Sequence, residues 1–495
     1  SFWRKLAGQL ISSIEACSAS TCKRFPSVAK VMAETSLMSK CVAEFVGTFL
    51  LVFTIGCNVL SGNTVWAGVS IACSLMVSIY AFGGISGANF NPAVSVALGI
   101  VKSLGGTGGL EWKVVACYVP VQIAAGILAG LSYELMFFSA FNLQPARGFN
   151  FINAGMCEMI YTSMLCFVVL NVAAAKKVEP NQWYGLAIGF VIVAGAYGAG
   201  PVSGACFNPA VAIGIDLASA TLGFGWCLIY TFFQLIGAAI AAFLFTVVRP
   251  EEFKDMQGQP RPTSAKLVSE FLGTFALVFT VGLNVIANSP AGAFSIAASL
   301  MSMIYALGDV SGAHFNPAVT VSILIAKATT MREAGSYIAV QLFGGVLGAF
   351  SYSLVHYGNS FPLQGNSLWG QVAAAEILFT FVLCFVVLCT SVKDRTKSKD
   401  FFGLAIGSCV TVGGYAIGSI SGGSLNPAVS CGIASANLLN GGFFLPALAY
   451  SAFELLGGAL AALVVKVTHE EEEAATKKIE ATKSMFSAQS EVVIP

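Results

Sequence analysis

Charged residues are scarce in this chain: Asp, Glu, Lys and Arg make up 10% of its 495 residues. A soluble domain usually has about a quarter of its residues charged. Because 56% of the residues are hydrophobic, the chain has too little polar surface to fold as a soluble protein. The formal net charge of +1 gives no sign of a nucleic-acid partner.

Groups typical of catalytic and metal sites are also few. The sequence has three histidines, and its 14 cysteines are scattered through apolar stretches without paired spacing. We interpret these cysteines as small buried hydrophobic residues rather than as a disulfide or zinc framework. No paired nucleophile and base, metal-ligand spacing or phosphate loop is evident. We therefore expect no enzyme, no cofactor and no metal.

Long apolar stretches occupy most of the chain instead, for example near 41–60, 151–174 and 370–392. Each has about 17 to 25 residues, enough to cross the hydrocarbon of a bilayer. Basic residues are concentrated in alternate connections, and the connections between them hold only Arg147. By the positive-inside rule, this requires an even number of spans with both termini in the cytoplasm. Twelve spans, six in each half, satisfy this requirement. The basic connections hold Lys102, Lys113, Lys176, Lys177, Arg249, Lys254, Arg261, Lys266, Lys327, Arg332, Lys393, Arg395, Lys397 and Lys399.

The two halves of the sequence repeat each other. The segment from Ala43, AEFVGTFLLVFTIGCNV, returns from Ser269 as SEFLGTFALVFTVGLNV. The segment from Gly185, GLAIGFVIVAGAYGAGPVSGACFNPAV, returns from Gly403 as GLAIGSCVTVGGYAIGSISGGSLNPAV. Such lengths are not matched by chance, so the chain holds two copies of one unit.

A weaker repeat lies inside each copy. A Glu-containing span start and an Asn-Pro-Ala motif each occur twice per copy, three spans apart, so the two sub-repeats enter the membrane in opposite orientations. Each motif precedes a short apolar run that predicts a half-helix capped by Asn and begun by Pro. Paired half-helices would bring positive ends and Asn amides together at mid-bilayer, which attracts an oxygen acceptor and repels cations. The motifs are Asn91, Pro92, Ala93; Asn208, Pro209, Ala210; Asn316, Pro317, Ala318; and Asn426, Pro427, Ala428.

The motifs SGANFNPAV, SGACFNPAV, SGAHFNPAV and SGGSLNPAV, with the AEFVGTF opening, resemble the aquaporin and aquaglyceroporin family from about residue 40 to 467. The resemblance implies an all-α membrane protein with two bundles, each of six transmembrane helices and two re-entrant half-helices. It also implies a four-pore cluster, which two tandem chains would complete as a homodimer. The expected organisation is a cytoplasmic leader (1–39), a first aquaporin-like pore (40–248), a cytoplasmic linker (249–264), a second pore (265–467) and a charged cytoplasmic tail (468–495).

The resemblance places a constriction at four positions of each pore. Carried over to this sequence, they are Ile71, Ala196, Ala205 and Val211 in the first pore, and Ile296, Gly414, Gly423 and Val429 in the second. Water-selective members usually carry Arg directly after the second motif, whereas both pores here carry Val. Small and aliphatic groups leave a wider, less polar opening. We therefore expect water and small neutral solutes such as glycerol, urea or ammonia to pass.

Four acidic residues lie inside predicted spans, where an unpaired charge would cost several kcal/mol. The resemblance suggests that Glu44, Glu158, Glu270 and Glu376 accept backbone N–H groups and brace the re-entrant loops. Gln122, Gln234, Gln341 and Glu454 are expected to be interior polar contacts of the same kind. Gly126, Gly237, Gly344 and Gly457 are expected to permit close helix packing.

Two other kinds of membrane protein remain open at this point. Inverted repeats with broken helices also occur in secondary transporters, although no further buried acid or base is evident to couple an ion. A structural or junctional membrane protein with closed pores is the second alternative. The sequence does not distinguish the plasma membrane from a vacuolar or other internal membrane.

Overall fold

A computed structural model describes residues 35–254, 256, 259–363 and 367–469. The predicted leader up to residue 34 and the tail from residue 470 lie outside the described residues. Within them, twelve helices of 20 to 26 residues are long and apolar enough to cross a membrane, and no strand occurs. This confirms the predicted all-α membrane fold with twelve spans.

The first unit holds eight of the helices. They are α1 (Leu37–Leu60), α2 (Ala67–Ser86), α3 (Pro92–Ser103), α4 (Trp112–Phe137), α5 (Phe151–Val169), α6 (Tyr184–Ser203), α7 (Pro209–Ala218) and α8 (Trp226–Val248). The second unit repeats them as α9 (Thr263–Ile286), α10 (Gly292–Ser311), α11 (Pro317–Ile325), α12 (Met331–Val355), α13 (Trp369–Val387), α14 (Phe402–Ser421), α15 (Pro427–Leu438) and α16 (Leu445–Thr468). Both α5 and α13 end in a π turn, at Leu170–Ala174 and Leu388–Val392.

Two helix starts lie slightly before the predicted boundaries. Helix α1 begins at Leu37 because the Ser36 side chain accepts the N–H of Ser39 and caps it, so the expected leader includes its first residues. Helix α9 begins at Thr263, directly after Pro262.

The four short helices are too short to span the membrane. Helices α3, α7, α11 and α15 have 12, 10, 9 and 12 residues, which at about 1.5 Å per residue gives roughly half the hydrocarbon thickness. Each begins at the Pro of an Asn-Pro-Ala motif, with the Asn as its cap. The Asn oxygen accepts the N–H of the motif Ala at 2.8 to 2.9 Å, so the sequence itself specifies where each half-helix starts.

Helices α5 and α6 of the first unit pack against α9 and α10 of the second. The contact is apolar with a few polar pairs: Tyr161 Oη lies 3.0 Å from Thr280 Oγ1, and Ser295 donates its hydroxyl to the Ala194 carbonyl at 2.9 Å. At one end of the contact the Trp183 ring stacks on Tyr305 with centroids 4.5 Å apart. The two units therefore meet through a packed interface in addition to their covalent linker.

The linker docks against both units. Buried Arg249 pairs with Asp309 at 2.5 Å and donates to the Asn171 side chain at 2.8 Å. Glu252 accepts from the Thr107 hydroxyl and from the backbone N–H of Lys177. A buried guanidinium requires such paired and hydrogen-bonded surroundings, so this segment fixes the position of the second unit relative to the first.

Candidate functional site

The loops before the half-helices share an unusual backbone. Before Asn91, the residues Gly87, Ala88 and Phe90 have φ angles of +89°, +52° and +51°. Left-handed conformations are costly for residues with a Cβ and persist only where the surroundings hold them. The same three positions are left-handed in the other loops, at Gly204, Ala205 and Phe207; Gly312, Ala313 and Phe315; and Gly422, Gly423 and Leu425.

A buried carboxylate holds each of these loops. Glu44 on α1 accepts the backbone N–H groups of Asn89 and Phe90 at 3.0 and 2.7 Å, the Ser86 hydroxyl at 2.6 Å and the Gln122 amide at 2.8 Å. Four donors offset the cost of burying this charge. The same pattern recurs at Glu158, with Gln234, and at Glu270, with Gln341. The structure thus places the three predicted acids and their Gln partners at three loops.

The fourth acid differs in its partner. Glu376 on α13 accepts the backbone N–H groups of Ser424 and Leu425 at 3.1 and 2.9 Å. The residue that stands where the other copies have Gln is Glu454, whose Oε1 accepts the Ser430 hydroxyl at 2.9 Å.

A second anchor of each loop was missed at the sequence level. Tyr118, four residues before Gln122, donates its hydroxyl to the carbonyl of Ser86 at 2.8 Å. Equivalent tyrosines donate to Ser203, Ser311 and Ser421 at 2.7 to 2.8 Å; they are Tyr230, Tyr337 and Tyr450. The signal was available, because Tyr precedes the polar residue by four positions in all four copies.

The two half-helices of each unit meet tip to tip. Asn91 donates a side-chain N–H to the Phe207 carbonyl at 2.9 Å, and Asn208 donates to the Phe90 carbonyl at 2.8 Å. In the second unit Asn316 and Asn426 make the same exchange with Leu425 and Phe315. Each Asn amide has two N–H groups, so one bond to the facing loop leaves another donor. The positive ends of two helix dipoles lie at the same point.

A cavity of about 310 Å³ runs past these tips in the first unit. Its lining includes both motif asparagines, Asn91 and Asn208, and the four positions predicted to form the constriction: Ile71, Ala196, Ala205 and Val211. Most of the remaining lining is aliphatic, including Leu75, Ile79, Val94, Ile188 and Ile192. The two motif amides therefore lie in a passage whose wall is mostly apolar.

The second unit has a larger cavity, of about 580 Å³. It is lined by Asn316 and Asn426 and by the four corresponding positions: Ile296, Gly414, Gly423 and Val429. Glycine at 414 and 423 replaces the alanines of the first unit and removes two methyl groups from the lining.

Some lining residues were not predicted from the sequence. Phe141, Asn142 and Gln144, in the connection between α4 and α5, line the first cavity, and Phe361 and Leu363 line the second. These connections carry no motif, so nothing in the sequence marks them. Cys206 lines the first cavity and His314 the second, each two residues before a motif Asn.

Close helix contacts hold the half-helices in place. A Cβ at Gly126 would overlap the carbonyl of Ala210, the second residue of α7. A Cβ at Gly237, Gly344 or Gly457 would likewise meet a backbone carbonyl of a neighbouring helix, at Met159, Phe271 or Ile377. All four glycines therefore lie where the helices approach most closely, as small residues do in membrane bundles.

Comparisons with known proteins agree with this geometry. The family model "Major intrinsic protein" matches residues 31–245, 259–464 and 403–494. The chain is 33% identical over 225 residues to the putative aquaporin NIP4-1 of Arabidopsis thaliana, covering 43% of this chain and 75% of that protein. It is 34% identical over 207 residues to aquaporin AqpM of Methanothermobacter marburgensis, covering 34% of this chain and 81% of that protein.

Two further relatives are similar over shorter or more divergent stretches. Nodulin-26 of Glycine max is 31% identical over 182 residues, covering 34% of this chain and 67% of that protein. Among solved structures, the aquaglyceroporin from Plasmodium falciparum is 19% identical with a TM-score of 0.38, covering 41% of this chain and 96% of that chain.

The family model matches the two halves of the chain separately and covers most of its length. This confirms both the resemblance and the tandem arrangement, and with twelve apolar helices it makes the protein a multi-pass integral membrane protein. The chain belongs to the major intrinsic protein family, a family of membrane channels for water and small solutes and not of enzymes, as a tandem fusion of two aquaporin units.

Proposed function

We propose that the chain is a passive channel with two pores, each of which passes water and small uncharged solutes of the glycerol, urea or ammonia class. The observation that carries this proposal is the chemistry of the constriction positions. Val211 and Val429 follow the second motif of each unit, and neither constriction set contains a charged, amide or aromatic side chain.

Size and polar lining together set selectivity in such a passage. A guanidinium at the position of Val211 would both narrow the opening and hold water tightly, whereas an isopropyl group does neither. At two other constriction positions, Ala196 and Ala205 of the first pore contribute one methyl group each, and Gly414 and Gly423 of the second contribute none. The second pore is therefore expected to admit wider solutes than the first.

Exclusion of protons and ions is assigned to the half-helix tips. The N-terminal ends of α3 and α7 carry partial positive charge, and so do those of α11 and α15. A cation at these tips would exchange its hydration for positive helix ends and N–H donors. A neutral hydroxyl or water oxygen can instead accept from an Asn amide, so neutral molecules are favoured.

Stopped-flow swelling of vesicles that contain the purified protein tests this function. Water, glycerol and urea gradients are applied to the wild type and to two blocked variants: Ile71→Trp with Val211→Trp for the first pore, and Ile296→Trp with Val429→Trp for the second. We expect water, glycerol and urea all to cross the wild-type vesicles. Either block should reduce the flux in part, and both blocks together should abolish it. Vesicles that pass water but exclude every larger solute would refute the wide-pore proposal, and saturable flux driven by an ion gradient would favour a transporter.

The asymmetry of the interface between the units supports the proposed homodimer. In the most apolar stretches of α5 and α6, 78% and 67% of the residues are buried, and in α9 and α10 the share is 72%. The equivalent helices on the outer sides, α1 and α2 with α13 and α14, reach only 28 to 44%. The interface joins the α5–α6 face of the first unit to the α9–α10 face of the second. The equivalent faces, α1–α2 of the first unit and α13–α14 of the second, therefore remain uncovered and are complementary to each other. We propose that a second chain, related by a two-fold axis, covers both.

The uncovered faces already carry the matching groups. In the covered interface, Ser295 accepts from Asn284 at 2.9 Å and donates to the Ala194 carbonyl. The counterpart of Ser295 on the uncovered face is Ser70, whose hydroxyl oxygen accepts from Asn58 at the same 2.9 Å. In the proposed dimer, the hydroxyl hydrogen of Ser70 is then donated to a backbone carbonyl of the second chain. Two chains joined in this way form a closed ring of four pores within the lipid bilayer.

The orientation is proposed from the basic residues. Lys177, Arg249 and Arg261 lie in connections, and Lys102 and Lys266 lie in the terminal turns of α3 and α9. Because the spans alternate in direction, the predicted cytoplasmic set belongs to one side of the bundle. By the positive-inside rule that side faces the cytoplasm, and both ends of the chain with it. The unit boundaries 40–248 and 265–467 are part of the same proposal.

A further inference from the structure

The brace of the fourth re-entrant loop differs chemically from the other three. Gln122, Gln234 and Gln341 each donate an amide N–H to the bracing carboxylate of their loop, at 2.8 Å in every case. At the equivalent place on α16 the chain has Glu454 beside Glu376. A carboxyl group therefore occupies the position of an amide of nearly the same shape, and two acids meet where the other loops have one.

No positive charge compensates for this second acid among the described residues. Glu376 and Glu454 are both fully buried, and Oε2 of Glu454 has no hydrogen-bond partner. Helices α11, α13 and α15, which pack against α16, contain no Lys, Arg or His. The other titratable groups that interact with the pair are the thiols of Cys384 and Cys431 and the Tyr450 hydroxyl, none of which carries a positive charge.

Two adjacent carboxylates without a cation cannot both remain charged in a low-dielectric site. One of them must keep its proton, and that proton gives the pair the donor hydrogen that the Gln amide supplies in the other three loops. We propose that Glu454 and Glu376 form a proton-binding site, and that the shared proton holds the fourth re-entrant loop in the position that leaves the second pore open. This inference rests on the proposed conduction through the second pore.

A path connects this site to the water of the pore. Ser424 lines the second cavity, and its Oγ lies 2.7 Å from Oγ of Ser430. The Ser430 hydroxyl in turn bonds Glu454 at 2.9 Å. When the pore water becomes alkaline, the O–H bond of the acid breaks, the proton passes by way of the two hydroxyls to water, and a second carboxylate is left behind.

The backbone of the fourth loop is also the least restricted of the four, because it has one more glycine at the left-handed positions. Gly423 takes the left-handed position, with φ of +65°, that Ala88, Ala205 and Ala313 occupy in the other loops. Gly422 precedes it, so two successive residues lack a Cβ. Repulsion between two carboxylates acts on Glu376, which holds the N–H groups of Ser424 and Leu425. Losing that hold displaces Gly423 and Asn426, which line the pore.

The test compares the two pores of one protein over a pH series. With the first pore blocked, flux through the second is expected to be constant near neutrality and to decline between about pH 7 and about pH 10, the range in which buried acids can titrate. Once the proton begins to leave, the protonated fraction falls up to about tenfold per pH unit. Glu454→Gln restores the amide of the other three loops, so flux through its second pore should stay constant over the pH series. Flux through the first pore of the wild type, measured with the second pore blocked, should also stay constant. His314 also lines this cavity, but a histidine ordinarily titrates below this range, and His314 is unchanged in the variant.

Infrared spectroscopy of the same vesicles detects the protonated carboxyl group directly, independently of any flux measurement. The carbonyl stretch of a protonated carboxylic acid should be present near neutrality, vanish over the alkaline range and be absent from Glu454→Gln. If neither pore conducts, the proposed function fails while the infrared band still reports on the pair. Flux through the second pore that does not fall with pH, a decline that Glu454→Gln retains, or the absence of the band would overturn the proposal.

Discussion

At the scale of single residues, we propose that the side chain following the second motif controls what a unit admits. Val211 is nearly fully buried beside Asn208, and its counterpart Val429 lies in the same way beside Asn426. Both present two methyl groups to the passage, which neither bind a solute hydroxyl nor fill the opening. If the proposed broad selectivity comes from the absence of polar groups at this position, adding a polar group should restore discrimination between water and larger solutes.

Replacing these residues by arginine tests that argument. In the double variant Val211→Arg, Val429→Arg, glycerol and urea uptake is expected to fall roughly tenfold, or about 1.4 kcal/mol in the permeation barrier, while water flux falls much less. The guanidinium narrows the opening and offers donors that water can satisfy. Stopped-flow swelling measures both rates, with Val211→Leu, Val429→Leu as the uncharged control. Equal rates in the arginine variant and the wild type would show that the constriction lies elsewhere.

The bracing acids act at the same scale. Glu158→Gln keeps the shape of the side chain but turns an NH₂ group toward the backbone N–H groups of Cys206 and Phe207. At least one buried donor loses its acceptor, which costs about 1 to 3 kcal/mol. Thermal unfolding in detergent should show the loss, and water flux through the first pore should fall while the second pore is unaffected. Glu44→Gln is the matched change in the other loop of that pore, and a stable variant with full flux would contradict the bracing role.

Sequence reasoning singled out Asn91 and Val211 because the first belongs to a motif and the second directly follows one. Glu158 was singled out because it is an acidic residue inside an apolar span. The tyrosine anchors share a constant spacing from the polar residue, but their role could not be assigned because their partners are backbone carbonyls that only the folded chain brings near them. Phe141 has no such spacing signal and lines a cavity that exists only in the folded chain.

At the scale of the helices, the packing of the half-helices depends on glycine. Helix α4 crosses α7 with Gly126 against the Ala210 carbonyl and Gly214 against the Gly126 carbonyl. A methyl group on either side of this crossing would have to push α7 away from α4. Because α7 begins with the motif, such a shift would also move Asn208 from the Phe90 carbonyl.

Gly126→Ala is therefore expected to destabilise the first unit by about 1 to 3 kcal/mol, the usual cost of overpacking, and to reduce its water flux. Gly335→Ala on α12 is the matched control, since nothing lies within 4 Å of the added methyl group. The control should be unchanged or slightly more stable, because alanine favours a helix. Thermal unfolding and flux measure the two variants, and equal stability would show that the crossing can relax.

The helices themselves were well predicted, and the reason is physical. A span must be apolar over its whole length, so hydropathy alone locates it. The starts of the half-helices could also be recognised in the sequence, because each has Asn as its cap and Pro as its first residue. The π turns after α5 and α13 were not expected, since no residue type in Leu170–Ala174 or Leu388–Val392 requires them.

At the scale of the whole molecule, the sequence predicted two units but not which faces they share. The repeats show which residues of the two units are equivalent. Because the equivalence treats both units alike, it does not show which face of one unit meets which face of the other. The asymmetry comes from the connection: Arg249 at the end of α8 reaches Asp309 of the second unit, whose counterpart in the first unit is Gly84. Only the folded linker shows that α5 and α6 meet α9 and α10.

The uncovered faces then predict where a second chain binds. Within the chain, Ser302 on α10 donates to the Ala187 carbonyl of α6 at 2.9 Å. The equivalent residues on the outer faces are Val77, which is 58% exposed, and Ala405. If a second chain repeats the interface, Val77 of one chain lies against Ala405 of the other.

A photocrosslinking amino acid at Val77 should therefore label α14 of a second chain and yield a product of two chains. The same amino acid at Ser302 should label α6 of its own chain, and at Leu135, which is 73% exposed on α4, it should give no adduct between chains. Native mass measurement of the unmodified protein should give two chains, because the two uncovered faces of each chain are satisfied by one partner and the ring then closes. A monomer, an assembly of four chains, or equal labelling from Val77 and Leu135 would refute this arrangement, since each would mean that the covered interface is not the one repeated between chains.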